Sequence, residues 1–209
     1  IIFDDPISSL DQDFEEKAID RIIELGCNRQ VIIFTHRLSF LGILCEKSEP
    51  NVICVRSEQW GVGEPGDVPL IGQKNPDKAM KKLRDERLAQ SEKALKENGS
   101  EFYYPLAKAI CSDFRILVER IVEYVLLADV IQRHRRDVQT KGKIHNLVKI
   151  GKEDCDIVDY YMTKYSCYEH SQSLESPVDV PMPDDIKEDI NNLLKWHDDF
   201  KKRPVQAKT

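Results

Sequence analysis

Several common functional patterns are absent from this sequence. The nine glycines form no G-x-x-x-x-G-K-[ST] motif, so these 209 residues contain no recognisable phosphate loop. No apolar run approaches the roughly 20 residues that a membrane-spanning helix needs. The six cysteines have no C-x-x-C spacing, which favours reduced thiols over a disulfide framework or a zinc site. We therefore expect a cytoplasmic protein with no membrane partner.

Charge is abundant and mixed in sign. Charged residues make up 33% and hydrophobic residues 41% of the chain, as in soluble globular proteins. The net charge of -6 argues against a uniformly basic nucleic-acid binder, but one local basic stretch stands out. Arg133 to Arg136, with Lys141 and Lys143, could neutralise nucleic-acid phosphates, or could be a solvated helix end.

The chain opens on a short apolar run that ends in two carboxylates. The run Ile1 to Phe3 is typical of a strand buried on both faces, as in the parallel sheets of α/β folds. Asp4 and Asp5 then lie at the carboxyl end of that strand, where open α/β sheets bind ligands. Two such carboxylates indicate a Mg²⁺ site, since Mg²⁺ prefers hard oxygen ligands. The alternative is an acidic pair that serves only as a turn and helix cap.

A helix and a second strand follow. The segment Pro6 to Asp11 has turn composition, and apolar residues recur every three or four positions from Asp13 to Leu25, which predicts an amphipathic helix. A second buried strand, Val31 to Phe34, ends in Thr35 and His36. The predicted order is strand, paired aspartates, turn, helix, strand and histidine.

With its motifs in this order, the segment resembles the back half of an ABC-type ATPase head, as found in SMC and RecF-like proteins. The sequence FDDPISSLD most resembles the ATPase family that includes PrrC-type anticodon nucleases. The resemblance implies that Asp4 is the Walker B aspartate that holds Mg²⁺, that Asp5 polarises the attacking water, and that His36 contacts the γ-phosphate of ATP. It also implies a D-loop at the dimer interface, formed by Ser8, Ser9, Leu10 and Asp11. Most SMC-like heads have Glu where this chain has Asp5.

The phosphate loop and the LSGG-like signature of such heads are both missing. In the family both motifs precede Walker B, so we expect these residues to be the carboxyl-terminal part of a longer polypeptide. The resemblance implies that the amino-terminal half of the same head supplies Walker A and the signature, and that heads form a homodimer. ATP and Mg²⁺ are then the expected cofactors of the intact protein, and this chain alone is expected to be inactive.

The predicted organisation has three parts. Residues 1–72 are the carboxyl-terminal part of the nucleotide-binding domain, with a third strand at Asn51 to Arg56 and a loop at Trp60 to Gly66. Residues 73–100 contain a charged connecting helix from Pro76 to Glu97 that we expect to be largely solvated. Residues 101–203 are a helical domain. The predicted fold class is thus an α/β half-head followed by an all-α bundle.

A long apolar stripe and a closing helix define the helical domain. Helical spacing runs to about Ile131, and a last helix is predicted from Pro181 to Arg203, anchored by Trp196. The stripe consists of Phe102, Leu106, Ile110, Phe114, Leu117, Ile121 and Val125.

Arg115 and Glu119 lie one helical turn apart at the edge of the stripe. Their spacing allows an ordinary ion pair. PrrC-type nucleases offer a second interpretation, because their HEPN-like helical domain cuts RNA with an Arg, a Glu four residues later and a downstream His. His170 is the candidate here, although Lys164 stands where that family has an Arg.

The sequence favours one function and leaves two alternatives. The first is ATP hydrolysis by the intact protein, in phage defence or in DNA repair and maintenance. The second is an ATPase-gated RNA nuclease, with Arg115, Glu119 and His170 as its site. The third is a non-catalytic helical interaction module. Nucleic acid is an expected partner of the second and could be one of the first.

Overall fold

The structure is a computed structural model, and it describes residues 1–7, 12–58, 61–66, 76–133, 138–168 and 179–205. The chain is mostly helical and divides into two compact units. The first unit contains Ile1–Lys74 together with Arg133–Asp137, and the second contains Asn75–Gln132 and Val138–Thr209.

The first unit begins with the predicted strand, helix and strand. Strand β1 (Ile2–Asp4) pairs in parallel with β2 (Ile32–Phe34), and helix α1 (Gln12–Gly26) connects them. Helix α2 (Leu38–Lys47) follows β2. The register places Asp4 beside Phe34, so both strands end at the same edge.

The apolar core of this unit covers only one face of the parallel pair. Phe3 and Ile33 pack against a buried cluster that α1, α2 and Ile7 supply. On the opposite face Ile2 is 69% exposed and Phe34 is 57% exposed. The expectation that the first strand is buried on both faces is therefore wrong in this chain. The buried cluster consists of Ile7, Ile19, Ile22, Phe40, Ile43 and Leu44.

The next two strands form a separate antiparallel hairpin. Strand β3 (Cys54–Glu58) pairs with β4 (Gly61–Gly66), so the loop predicted over residues 60–66 is mostly a strand. The register shifts at Arg56, and Gly63 has a φ of 85° on the facing strand. Glycine adopts this backbone without strain, and an extra residue of this kind forms a β-bulge. The glycines of this segment, which indicated a loop in the sequence, therefore belong to a bulged strand.

The second unit begins with a helix that the sequence predicted to be a solvated connector. It runs through α3 (Pro76–Lys82), a π-helical segment (Leu83–Leu88) and α4 (Ala89–Asn98). Met80, Leu83 and Leu88 are fully buried. A few large apolar residues on one face are enough to pack this charged segment into the bundle.

Helix α5 (Ser100–Ile121) is the central helix of the second unit. The predicted stripe is buried from Ile110 onward, but Phe102 is 59% exposed and its place in the core is taken by Tyr103. In a helix of 3.6 residues per turn, residues four apart are offset by about 40° around the helix axis. Phe102 therefore lies roughly 120° from Phe114 around the axis, whereas Tyr103 lies only about 20° from Phe114.

The central helix ends earlier than the sequence predicted. A π-helical turn (Val122–Leu126) follows α5, and Ala128 and Asp129 then have φ angles of 47° and 64°. Two successive left-handed residues cannot continue a right-handed helix. A 3₁₀ segment (Ile144–Lys149) leads to α6 (Lys152–Ser166) and then to the closing helix α7 (Pro183–Lys202).

Aromatic contacts hold α5 and α6 together, and Trp196 fixes α7. The Phe114 ring lies edge-on to Tyr165, with centroids 4.7 Å apart. The Trp196 indole Nε1–H donates to Asp154 Oδ1 at 2.8 Å, which confirms the predicted anchoring role of this tryptophan. Asp154 is fully buried and also accepts from Arg203 Nη1 at 2.6 Å.

Candidate functional site

The carboxyl ends of β1 and β2 bring together the residues that the sequence singled out. Asp4 ends β1 and Asp5 follows it, while Thr35 and His36 directly follow β2. Because the two strands are parallel, their carboxyl ends lie side by side. Residues about thirty positions apart in the chain therefore share one small site.

Asp5 is the centre of this site. Its Oδ1 accepts a hydrogen bond from Thr35 Oγ1 at 2.8 Å and a longer one from the His36 backbone N–H at 3.4 Å. Its Oδ2 contacts His36 Nδ1 as an ion pair when the imidazole is protonated. A carboxylate has about four lone-pair positions, so these three contacts leave one acceptor position on Oδ2.

The backbone of Asp5 is also constrained. Its N–H donates to the Phe34 carbonyl at 2.8 Å, and its φ of 41° is one of three positive values among the described residues other than glycine. Pro6 follows, and a residue before proline is disfavoured in the right-handed helical region. Aspartate tolerates a positive φ better than most residues. The turn therefore directs the Asp5 carboxylate toward β2.

These contacts keep the Asp5 carboxylate ionised. The hydrogen bond from Thr35 is the largest influence and lowers the pKa of Asp5, burial opposes this effect, and His36 lowers the pKa further. An ionised carboxylate is a hydrogen-bond acceptor throughout the neutral range. Asp5 can therefore accept a hydrogen bond from a water molecule and orient it, while its lowered pKa makes it a weaker base than a free aspartate.

His36 projects away from the protein surface. Its side chain is 80% exposed although Nδ1 is bound to Asp5. A carboxylate on one ring nitrogen fixes the orientation and tautomer of an imidazole. The contact with Asp5 therefore leaves His36 Nε2 to meet a ligand.

Thr35 and Arg37 have roles that the sequence did not reveal. Besides holding Asp5, Thr35 Oγ1 accepts from the Arg37 backbone N–H at 3.2 Å. The Arg37 guanidinium donates to the Ile7 carbonyl at 3.0 Å, across the turn that follows Asp5. The tripeptide Thr35 to Arg37 directly after β2 was the available signal, but its contacts depend on strand pairing.

Asp4 is the residue that could hold a metal ion. It is exposed at the end of β1 and directly precedes Asp5 in the sequence. Among the described residues no group of three or more His, Cys, Asp or Glu side chains converges on one point. Mg²⁺ does not require such a group, because it commonly binds one or two carboxylates and completes its shell with water and phosphate. The donor set therefore fits Mg²⁺ in the presence of a nucleotide.

The predicted D-loop lies outside the described residues. Ser8, Ser9, Leu10 and Asp11 belong to it, and their proposed contact with nucleotide and dimer partner stays a prediction.

The candidate nuclease residues are only partly described. Arg115 Nη2 lies 3.6 Å from Glu119 Oε1, as the helical spacing predicted. Arg115 Nη1 also donates to the Met162 carbonyl of α6 at 2.6 Å, and its side chain is only 16% exposed. His170 lies outside the described residues, so its relation to this pair stays a prediction.

The basic stretch is described only at its ends. Residues 134–137 lie outside the described part of the chain. Lys143 Nζ donates to the Asp129 carbonyl at 3.2 Å and to Gln139 Oε1 at 2.8 Å, and it lies 3.6 Å from Asp129 Oδ2. Lys143 thus already has a local acidic partner, and its contacts support a structural role.

No helix within the described ranges is both long enough and apolar enough to cross a lipid bilayer. Comparison of the chain with protein-family models, with curated proteins and with solved structures gave no match.

Proposed function

We propose that the first unit contributes the carboxylate and histidine side of an ATP-hydrolysing site. The observation that supports this most directly is the contact of Asp5 with Thr35 and His36 at the shared carboxyl edge of two parallel strands. Ligand chemistry in open α/β sheets takes place at this edge.

Each residue has a distinct role in the proposed site. Asp5 uses its remaining acceptor position to orient the attacking water and to take its proton. His36, held through Nδ1, donates from Nε2 to the terminal phosphate when its imidazole is protonated. Thr35 keeps the Asp5 carboxylate ionised and in place. Mg²⁺, bound through Asp4, would offset the negative charge of the phosphates when it is present.

The rest of the site has to come from elsewhere. No phosphate loop occurs in these 209 residues, and backbone N–H groups of that kind normally hold the β and γ phosphates. We propose that a further segment of the same protein supplies the loop and the signature motif, and that heads pair as a homodimer. Phage defence or DNA maintenance is the setting implied by the resemblance to PrrC-type and SMC-like ATPases.

The test is Asp5→Asn in a protein that also carries the phosphate loop. Asparagine keeps the shape and the backbone preference of Asp5 but accepts a proton poorly, so the ATP turnover number should fall roughly 10²- to 10⁴-fold. ATP binding should change little, since Asp5 is not the proposed metal ligand, and ATP-bound dimers should accumulate. Glu49→Gln, an equivalent change at an exposed site, is the control and should turn over like the wild type. An unchanged turnover number in Asp5→Asn would reassign Asp5 to structure.

We do not propose the nuclease function. The described contacts of Arg115 are those of a side chain that ties α5 to α6. A purely structural role accounts for them.

A further inference from the structure

A cavity in the second unit is lined by none of the residues of the proposed ATPase site. It has a volume of about 350 Å³ and lies between α6 and α7. Small-molecule sites start at about this size. The side chains that matter for its chemistry are Tyr160, Tyr161 and Lys164 from α6, and Asp185, Glu188 and Asp189 from α7.

Asp189 provides an acceptor that is already built into the fold. It is 7% exposed, and its Oδ2 accepts both the Tyr165 hydroxyl and Lys164 Nζ at 2.6 Å. Its Oδ1 has no hydrogen-bond partner within the described part of the chain. This second oxygen is not among the buried side-chain atoms that lack a partner, so it reaches solvent and can accept from a ligand. This oxygen belongs to a residue that lines the cavity.

The charge of the cavity favours a cation. Among the described residues that line it are three carboxylates, those of Asp185, Glu188 and Asp189, and one ammonium, that of Lys164. Among these residues the negative charges outnumber the positive charges by two. An anionic ligand such as a phosphate would be repelled, whereas a positively charged group would be attracted.

The aromatic side of the cavity also suits a cation. Tyr160 is 55% exposed, and its ring lies 5.1 Å from that of Tyr161. Lys164 Nζ lies 5.5 Å from the centre of the Tyr160 ring, so this ring already accepts one positive charge. Exposed aromatic rings next to carboxylates are a common means of binding ammonium and guanidinium groups.

We propose that this cavity binds an organic cation, and that its preferred ligand carries a guanidinium group on an alkyl chain. A guanidinium is planar and forked, so it can donate to Asp189 Oδ1 and to a neighbouring carboxylate while its face stacks on Tyr160. Such a group could come from an arginine side chain of a peptide or from a free alkylguanidine.

The experiment uses the 209-residue chain and amide-resolved NMR. Nα-acetyl-arginine amide represents a peptide arginine, agmatine represents a free alkylguanidine, and Nα-acetyl-citrulline amide is the neutral isostere. Arginine amide or agmatine should produce saturable shifts at α6 and α7 below about 10 mM, which is a weak affinity. The tighter of the two identifies the source of the cation. If neither shows saturable shifts, or if citrulline amide binds as well as the cations, the proposal is wrong.

Variants then separate the cavity from general surface charge. Glu188→Gln and Tyr160→Leu should each weaken binding by about two- to fivefold, the worth of one exposed charge or ring contact. Asp184→Asn removes an exposed carboxylate of the same helix that does not line the cavity, and it should leave affinity unchanged. Equal weakening by Asp184→Asn would show non-specific attraction and overturn the proposal. Circular dichroism of each variant confirms that the helices are retained.

Discussion

Replacing Asp154 with alanine should destabilise the second unit more than any substitution on the exposed face of α6. The Asp154 carboxylate is fully buried and accepts from Trp196 Nε1, from Arg203 Nη1 and from the Gly151 N–H at 2.8 Å. Alanine leaves the Trp196 N–H buried without a partner, which costs about 1–3 kcal/mol. Arg203 is 37% exposed, so losing its ion pair adds only about 0.5–1 kcal/mol.

The expected loss for Asp154→Ala is thus about 3 kcal/mol, or a melting temperature lower by roughly 6–12 °C in a chain of this size. Denaturant unfolding followed by Trp196 fluorescence measures it directly, in a Trp60→Phe background that leaves one tryptophan. Asp156→Ala, at an exposed position on the same helix, is the control and should fall within about 0.5 kcal/mol of the parent.

The same variant has a pH signature. Burial raises the pKa of Asp154, but hydrogen bonds from Arg203, Gly151 and Trp196 outweigh it, and the net pKa lies below its ordinary value of 3.8. A lowered folded-state pKa gives stability that is complete above the unfolded value and is lost as the pH falls through the folded value. The difference in the free energy of unfolding between the parent and Asp154→Ala should therefore become smaller below about pH 4. Equal stability of Asp154→Ala and Asp156→Ala at pH 7 would refute the reasoning.

Two further outcomes are expected in the helical unit. Burial lowers the pKa of His197 below 6.5, the charge of Lys201 lowers it further, and Asp198 and Asp77 raise it by a smaller amount. The free energy of unfolding should therefore drop as the pH falls below about 6.5. The drop should be smaller in His197→Gln, and urea titrations at pH 5.5 and 7.5 measure it. An equal drop in the variant and the parent would contradict this expectation. Arg115→Ala should cost about 1–2 kcal/mol through the lost bond to Met162, against little change in the exposed control Lys96→Ala. Wild-type stability combined with lost RNA cleavage would instead support the nuclease role.

The sequence was most informative where local pattern and tertiary packing agree. Apolar runs followed by Asp5 and by His36 predicted the parallel pair and the site at its edge. The regular spacing of apolar residues and a proline at the start predicted α7. In α7 the helical period decides which side chains face the core.

The predictions failed where contacts between residues distant in the sequence determine the structure. The hairpin of β3 and β4 contains a β-bulge at Gly63, where φ is positive. In the sequence, a glycine indicates a loop as readily as a bulged strand. Phe102 was wrongly assigned to the buried apolar stripe of α5, because residues repeatedly spaced four apart move gradually around the helix. The cavity between α6 and α7 joins Tyr160 to Asp189, and no local pattern connects two residues on different helices.

The positive φ of Asp5 restricts which residues could replace it during evolution. Lengthening the side chain to glutamate would be a double change here. It would push the carboxyl group one methylene further from Thr35, and it would place a residue with little tolerance for left-handed backbone before a proline. This turn thus favours Gly, Asn and Asp at the position, and of these only Asp carries a charge. Exchange of Asp5 for glutamate therefore requires a remodelled turn.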